Sequence, residues 1–206
     1  MTPEADPLEG RILDAAVEAA LVHGLTRLSV ADVAKRAGIS RPTLYKRHPS
    51  KEALVAAAVM REAALVIEAV ERAVDTVDRA EGPKAALRVG VLTALRQLRD
   101  HPLLDRVVRT EPEMLVPTLT TDDGLILSVI RPPIEALIVD RFSSLDAVSC
   151  RRVADMLTRL LLSYALNAPD DPPDVVATVL ADVVVDGAIS LARGAGEVEG
   201  AHGEGP

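Results

Sequence analysis

The strongest constraint on the fold is the way three chain breakers divide the first fifty residues. Gly24, Gly38 and Pro49 each close a segment that has room for a single short helix. Glycine supplies backbone conformations that a β-carbon disfavours, and proline removes a helical hydrogen-bond donor. The spacing therefore predicts three short helices in succession, with a sharp turn at Gly38 between the second and the third.

Polar residues mark the start of each of these helices. Asp6 with Glu9, and Ser29 with Asp32, have the three-residue spacing of a capping box. Ser40 is the predicted N-cap of the third helix, which is barely two turns long. The segment therefore predicts a helix-turn-helix, whose last helix would lie in the major groove of DNA.

The predicted third helix has an inner and an outer side. Leu44 is the expected inner residue of this helix, and it would fill a small core together with Val33, Ala37 and Ile39. The expected outer residues are Arg41, Thr43, Tyr45, Lys46 and Arg47. Five such groups together on a short helix favour a nucleic-acid groove over ordinary surface.

The charge of the chain is unevenly distributed. Between residues 25 and 51 there are seven basic residues and one acidic residue, a net charge of +6. Because the whole chain has a net charge of −8, the residues outside this segment have a net charge of −14. A basic cluster can be an ordinary solvated face, but this one coincides with the predicted helix-turn-helix. It is typical of a protein that binds DNA through one face only.

A resemblance to a known family appears at this point. Residues 30–40 read VADVAKRAGIS, followed by TLY at 43–45 and SKEAL at 50–54. The motif covers roughly residues 10–55 and resembles the signature of the tetracycline-repressor (TetR) family. The resemblance implies an all-α fold and a sequence-specific transcriptional regulator, commonly a repressor, that binds a palindromic operator as a homodimer. It also implies a small-molecule effector, bound in the later helices, that changes the affinity for DNA.

The resemblance assigns roles by position. An arginine at 41 matches a base-edge contact and could be bidentate to guanine. The other matched positions are Thr43 for a base or phosphate, Tyr45 and Lys51 for phosphates, and Lys46 and Arg47 for backbone or bases. From the residues themselves, Ser29 could offer its hydroxyl and a helix N-terminus to a phosphate. His48 departs from the family, which more often has an aromatic or aliphatic residue there. It is either a partly buried histidine satisfied by backbone or a phosphate contact.

The remaining chain predicts helices only, over 51–78, 84–100, 101–108, 111–118, 124–142, 145–167 and 174–193. Pro132 and Pro133 would interrupt one of them, either opening a cavity or accommodating a neighbour. The valine-rich segment 174–193 resembles a strand locally, but its apolar pairs recur every four residues, which favours a helix. We expect disordered ends at 1–7 and 194–206, a helix-turn-helix domain at 8–52, and an effector-binding and dimerisation domain at 53–193.

The last two predicted helices are apolar around more than one face. Packed against their symmetry mates they would form a four-helix dimer interface; the alternative is a buried pair in a monomer. Candidate effector contacts are Thr93, Gln97, Met114, Arg131, Met156, Leu160 and Tyr164. For the apolar ones among them, plain core is the preferred alternative. The chain has only three aromatic residues, so the expected ligand is flexible and mainly aliphatic.

Other classes of function have little support. The four histidines are far apart, the single Cys150 has no nearby histidine, and no phosphate loop follows a strand, so we expect no catalytic site, metal or cofactor. Arg151 and Arg152 could depress the pKa of Cys150, but an inert thiol is the expected outcome. An acidic body argues against a DNA-packing protein, and a helical adaptor remains the distant alternative. No signal peptide and no run of roughly 20 apolar residues is visible, which predicts a cytoplasmic protein without membrane contact.

Overall fold

The computed structural model describes residues 6–114, 125–143, 145–167 and 169–200. Within these residues the chain forms nine α-helices and no strand, which confirms the all-α prediction. The helices are α1 (Pro7–His23), α2 (Val30–Arg36), α3 (Arg41–Arg47), α4 (Lys51–Asp75), α5 (Gly82–Arg99), α6 (Pro102–Thr110), α7 (Leu125–Arg141), α8 (Ala147–Leu166) and α9 (Pro173–Gly200). Among the described residues, no α-helix combines the length and the hydropathy that a membrane span requires.

The chain folds as two compact units. The first comprises residues up to Leu65 and the segment Asp100–Ile126, and therefore contains α1, α2, α3, α6 and the beginning of α4. The second comprises Val66–Arg99 and everything from Leu127 onward. The first unit thus extends beyond the predicted segment 8–52, because it also includes residues 53–65 and α6.

The core of the first unit is built from small aliphatic side chains. Ile12, Leu44 and Leu54 are its largest fully buried members. The remaining buried members are mostly alanines and valines of α1, α2, α4 and α6, together with the loop residues Leu25 and Leu28. Because alanine occupies so little space, helices that meet through it can pack closely, and no aromatic side chain is needed to fill the centre.

The second unit buries three apolar clusters. One lies between α7, α8 and α9 around Phe142 and Leu157, and another lies between α5 and α9 around Leu95. The third joins the end of α4 to α5. The nearly buried Arg141 of α7 donates to the carbonyls of Val74 and Val77 at distances of 3.0 and 3.2 Å, so it satisfies groups at the end of α4.

The predicted interruption at Pro132 and Pro133 is wrong, because α7 continues through both prolines. Each proline removes one donor from the helical ladder. The turns that follow the prolines are nevertheless held, since Ile134, Ile138 and Phe142 pack in the cluster of α7, α8 and α9. Tertiary packing therefore overrides the local breaking signal.

Two predicted helix ends also differ from the structure. α9 continues to Gly200, beyond the predicted end at residue 193. Glycine lowers helix stability by about 1 kcal/mol per residue without forbidding a helix, and Ala195 and Glu197 are good helix formers. The predicted helix at 111–118 is only a 3₁₀ turn at Pro112–Met114 in the described residues, and positions 115–118 lie outside them.

Candidate nucleic-acid interface

The turn between α2 and α3 has the geometry expected of a helix-turn-helix. Gly38 adopts a φ of +69°, in the left-handed region that glycine tolerates. Its amide donates to the carbonyl of Lys35 at 3.2 Å, and the amide of Ile39 donates to that of Ala34 at 2.9 Å. These hydrogen bonds close α2 and redirect the chain sharply into α3, as predicted.

The start of α3 is capped by Ser40, which confirms that prediction. Its hydroxyl accepts from the amide of Thr43 at 3.3 Å, and the two side-chain oxygens lie 2.8 Å apart. The hydroxyl of Thr43 is therefore engaged within the cap. Its methyl group is the part of the side chain left with no polar partner, which suits contact with a thymine methyl.

The two sides of α3 separate as the sequence predicts. Leu44 is fully buried in the core of the first unit, together with Val33 and Ala37, and Ile39 is half-buried beside them. The outward residues Arg41, Tyr45 and Lys46 are exposed, with Tyr45 48% exposed. An exposed tyrosine flanked by cations presents both a ring and positive charge to the same partner, as phosphate-binding surfaces do.

Arg47 lies on the same helix but is already paired. Its guanidinium donates to Asp6 Oδ2 and lies 3.4 Å from Glu9 Oε2, so the N-terminus of α1 holds it. The hydrogen bond between Arg47 and Asp6 lowers the pKa of Asp6 and raises that of Arg47. Asp6 is also the N-cap of α1, accepting from the amide of Leu8 at 2.9 Å, as predicted. Glu9 does not complete a capping box, because its carboxylate faces Arg47 and His48 instead.

His48 is buried at the end of α3, with 7% of its surface exposed. Its amide donates to the carbonyl of Leu44 at 2.9 Å and caps the helix. The ring Nε2 lies 3.0 Å from Glu9 Oε1, within ion-pair distance though not along a hydrogen-bond direction. The prediction that backbone groups satisfy the ring is therefore wrong, because the polar group beside Nε2 is the side chain of Glu9 of α1.

The predicted capping box at Ser29 is also wrong. Ser29 stands at the N-cap position of α2 and is exposed, but its side chain makes no cap hydrogen bond. Asp32 accepts from Arg36 Nε at 2.8 Å, and this charge-assisted hydrogen bond lowers its pKa. The Ser29 hydroxyl is consequently not used in capping α2, which leaves the N-terminus of that helix open to a phosphate.

The loop between α1 and α2 is held by charged side chains from two other elements. Lys51, at the start of α4, donates to the carbonyl of Thr26. Glu111, just after α6, accepts from the amides of Leu25 at 2.7 Å and Thr26 at 3.0 Å. Burial acts to raise the pKa of Glu111, but these hydrogen bonds outweigh it and the pKa is lowered.

Glu111 did not emerge from the sequence, because it is more than eighty residues from its partners. The one signal that points to it is Gly24, which has a φ of +87°. A β-carbon at Gly24 would lie 2.6 Å from Glu111 Oε1, far inside any real contact. Gly24, which the sequence predicts to end a helix, therefore also leaves space for the Glu111 carboxylate.

The predicted effector contacts are spread over the chain. Leu160 and Tyr164 of α8 are half-buried and pack against the cluster around Leu95. Arg131 Nη1 lies 3.7 Å from Asp155 Oδ1. Thr93 is half-buried on α5, whereas Gln97, Met114 and Met156 are exposed. Within the second unit, Leu160 and Tyr164 are thus the candidates that the structure places beside buried apolar surface.

The predicted dimer face is apolar and exposed on α9. Val175, Val179 and Val183 recur every four residues and are 42%, 55% and 64% exposed. On α8, Val148 and Met156 are exposed as well. Opposite faces of both helices pack into the clusters of the second unit, so each helix is apolar on two sides.

Metal and thiol chemistry have no assembled site in the part of the chain that the structure describes. No group of three or more histidine, cysteine, aspartate or glutamate side chains there could hold a metal ion. Cys150 is 2% exposed, and burial raises its pKa. The suggested lowering of the Cys150 pKa by Arg151 and Arg152 is therefore wrong in direction. Both arginines are exposed, whereas the thiol lies in the core.

Two family sequence models match the chain. Residues 12–58 match the one described as bacterial regulatory proteins, tetR family, and residues 83–186 match the one described as bacterial tetracyclin repressor, C-terminal domain. An uncharacterized HTH-type transcriptional regulator of Mycobacterium tuberculosis is 31% identical over 189 residues, which cover 90% of this chain and 89% of that protein.

Solved structures share the fold. The TetR family repressor AlkX from a Dietzia species, implicated in biodegradation of n-alkanes, superposes with a TM-score of 0.71 at 22% identity, covering 87% of this chain and 97% of that one. The regulator FadR from Bacillus subtilis, in complex with stearoyl-CoA, gives a TM-score of 0.58 at 19% identity, covering 86% and 98%. The likeness extends over both compact units.

Proposed function

The chain belongs to the TetR family of bacterial transcriptional regulators, and we propose that it is a dimeric repressor that leaves a palindromic operator when a small-molecule effector binds. The observation that carries the DNA-binding part is the outer side of α3. Arg41, Tyr45 and Lys46 are exposed there, on a capped helix that follows a glycine turn. The acidic character of the rest of the chain confines binding to this surface.

Within the proposed interface the residues have separate tasks. Arg41 reads a base edge, and Thr43 contacts a thymine methyl, because its hydroxyl is engaged with Ser40. Tyr45, Lys46 and Lys51 bind phosphates and set the register of the helix on the duplex. Ser29 adds its hydroxyl and the N-terminus of α2 to the same backbone. Arg47 joins these contacts once phosphate replaces Asp6 and Glu9.

The exposed valine stripe of α9 supports the proposed dimerisation. A single two-turn helix makes few base contacts, so helix-turn-helix proteins usually pair two of them, about 34–36 Å apart. Val175, Val179 and Val183, with Val148 and Met156 of α8, would be covered by the same residues of a second copy about a two-fold axis. A symmetric protein of this kind requires a palindromic site.

The effector class is supported by the second unit and by the relatives. Half-buried Leu160 and Tyr164 adjoin an aliphatic cluster, and Thr93 supplies a polar group on α5. AlkX is implicated in n-alkane biodegradation, and FadR binds stearoyl-CoA. We expect a long aliphatic chain to bind among α5, α8 and α9 and, by linkage, to lower the affinity for DNA by the same factor as DNA lowers the affinity for the ligand.

The decisive experiment is selection of bound sites from random duplex DNA, followed by titration of the enriched site at several salt concentrations. We expect a palindrome, and a log–log salt slope of about −0.9 for each phosphate neutralised. Binding of all duplexes alike would favour a DNA-packing protein, and no binding would favour an adaptor. Addition of stearoyl-CoA to the complex then tests effector release, with short-chain acetyl-CoA as the matched control.

A further inference from the structure

We propose that Glu111 is a positioning residue for DNA binding: its carboxylate holds the loop 24–29 and thereby sets the orientation of α2 and α3. The inference rests on the proposed function and adds to it a residue far from the DNA-contacting set. Glu111 is 7% exposed and is one of the few buried charged side chains in the described residues. A buried carboxylate is costly unless hydrogen bonds satisfy it, so the contacts it makes are specific.

Glu111 joins two elements through one residue. Its backbone amide donates to the carbonyl of Val107 at 2.9 Å and so caps α6. Its side chain accepts one hydrogen bond on each oxygen, from the amides of Leu25 and Thr26. The end of α6 is therefore fastened to the loop that leads into α2.

The loop is held from a second side at the same residue, Thr26. The amide of Thr26 donates to Glu111, and its carbonyl accepts from Lys51. A carboxylate and an ammonium group thus hold the two backbone polar groups of one residue. Only Arg27, Leu28 and Ser29 separate it from the first residue of α2, and Leu28 is buried in the core. Because the connecting segment is so short, a displacement of Thr26 also displaces the start of α2.

Gly24 shows that this space is reserved for the carboxylate. A β-carbon there would lie 2.6 Å from Oε1 and 2.9 Å from the carboxyl carbon of Glu111. Gly38 and Gly82 also have positive φ, but a β-carbon at either would meet nothing within 4 Å. Gly24 is therefore constrained by φ and by Glu111, whereas the other two are constrained by φ alone.

The test compares Glu111→Gln with Glu113→Gln in the full chain. The glutamine keeps the shape of the side chain but turns an NH₂ group toward a loop amide, so one hydrogen bond is lost and two donors face each other. Glu113 is exposed two residues away and undergoes the same change of charge. We expect operator affinity to fall about tenfold or more in the first variant and to match wild type in the second.

Hydrogen exchange of the Leu25 and Thr26 amides supplies the structural readout. We expect faster exchange at both in Glu111→Gln and unchanged exchange in Glu113→Gln. If those amides lose protection while operator affinity stays at the wild-type value, the carboxylate is only a structural tie and the inference is overturned. Absence of specific binding by the wild-type chain would instead refute the proposed function, and the inference with it.

A second pair of variants reaches the same contact should Glu111→Gln fail to fold. Gly24→Ala introduces both the φ strain and the collision with Glu111, whereas Gly82→Ala introduces the φ strain alone. Operator affinity should fall with Gly24→Ala and remain with Gly82→Ala, measured well below the unfolding temperature of each. Equal affinities for the two folded variants would contradict the proposal.

Discussion

The exposed sides of α3 and α9 are chemically opposite. α3 has one buried anchor, Leu44, and presents arginine, tyrosine and lysine outward. α9 buries one apolar face in the second unit and exposes Val175, Val179 and Val183. A row of exposed valines at helical spacing has no benefit for an isolated surface helix, whereas exposed cations need no partner to be stable.

The difference indicates what each face is built to meet. Attraction between cations and phosphates weakens as salt rises, because counterions compete for both. Burial of valine side chains depends on apolar area and is not weakened in this way. Salt should therefore release the DNA without dissociating the dimer, and variants on one face should leave the other partner in place.

The largest effect is expected from Val179→Asp combined with Val183→Asp. Two carboxylates would have to enter an apolar interface without partners, so the dimer should weaken by about a thousandfold or more. Sedimentation should then give the monomer mass of 21.8 kDa, with operator affinity lost as a consequence. Val22→Asp is the matched control, because Val22 of α1 is 57% exposed and is expected to stay outside the interface. A monomeric wild-type chain at micromolar concentration would refute the assignment of the stripe.

The next effect is expected from Tyr45→Ala. Loss of the ring and hydroxyl should weaken operator binding about tenfold to a hundredfold, with the mass and the unfolding temperature unchanged, since the side chain is 48% exposed. Fluorescence anisotropy with labelled operator measures the affinity. Tyr45→Phe separates the two groups: a loss equal to that of alanine assigns the contact to the hydroxyl, and wild-type affinity assigns it to the ring. Unchanged binding by Tyr45→Ala would mean that α3 presents another side to DNA.

The smallest effect is a gain of affinity from Asp6→Asn combined with Glu9→Gln. Without the two carboxylates, Arg47 is free to bind phosphate, so affinity should rise about threefold and the salt slope should steepen by about 0.9 for each Arg47, or about 1.8 for the dimer. Asparagine remains a good N-cap, which protects the start of α1. Asp14→Asn with Glu18→Gln removes the same charge from the same helix, where the partners are Arg61 and Arg36. An equal gain in this control would show a general charge effect.

What could be predicted from the sequence here is mostly local. Ser40, Gly38 and Leu44 act within a few residues of their own positions, and the cap, the turn and the buried side of α3 are all found as expected. The order and type of the helices follow from the same short-range signals. The four-residue recurrence of valines was likewise enough to favour a helix over a strand for α9.

What the sequence could not supply depends on distant partners. Glu9 has the spacing of a capping residue, yet Arg47 and His48 from α3 offer it stronger charged partners. No sequence pattern near Glu111 indicates its role, because its side-chain hydrogen bonds are to the loop after α1. At Pro132 and Pro133 the local rule was clear and was overridden by packing. At these positions tertiary contacts, rather than nearest-neighbour preferences, decide the outcome.

The scarcity of aromatic side chains has an optical consequence. The chain contains no tryptophan and two tyrosines, so its intrinsic fluorescence comes from Tyr45 and Tyr164. One is exposed on α3, and the other is half-buried beside the apolar cluster of α5 and α9. Emission quenched by an oligonucleotide therefore reports on the first, and emission changed by an aliphatic compound reports on the second. The unlabelled protein carries a separate spectroscopic probe for each of its two proposed ligands.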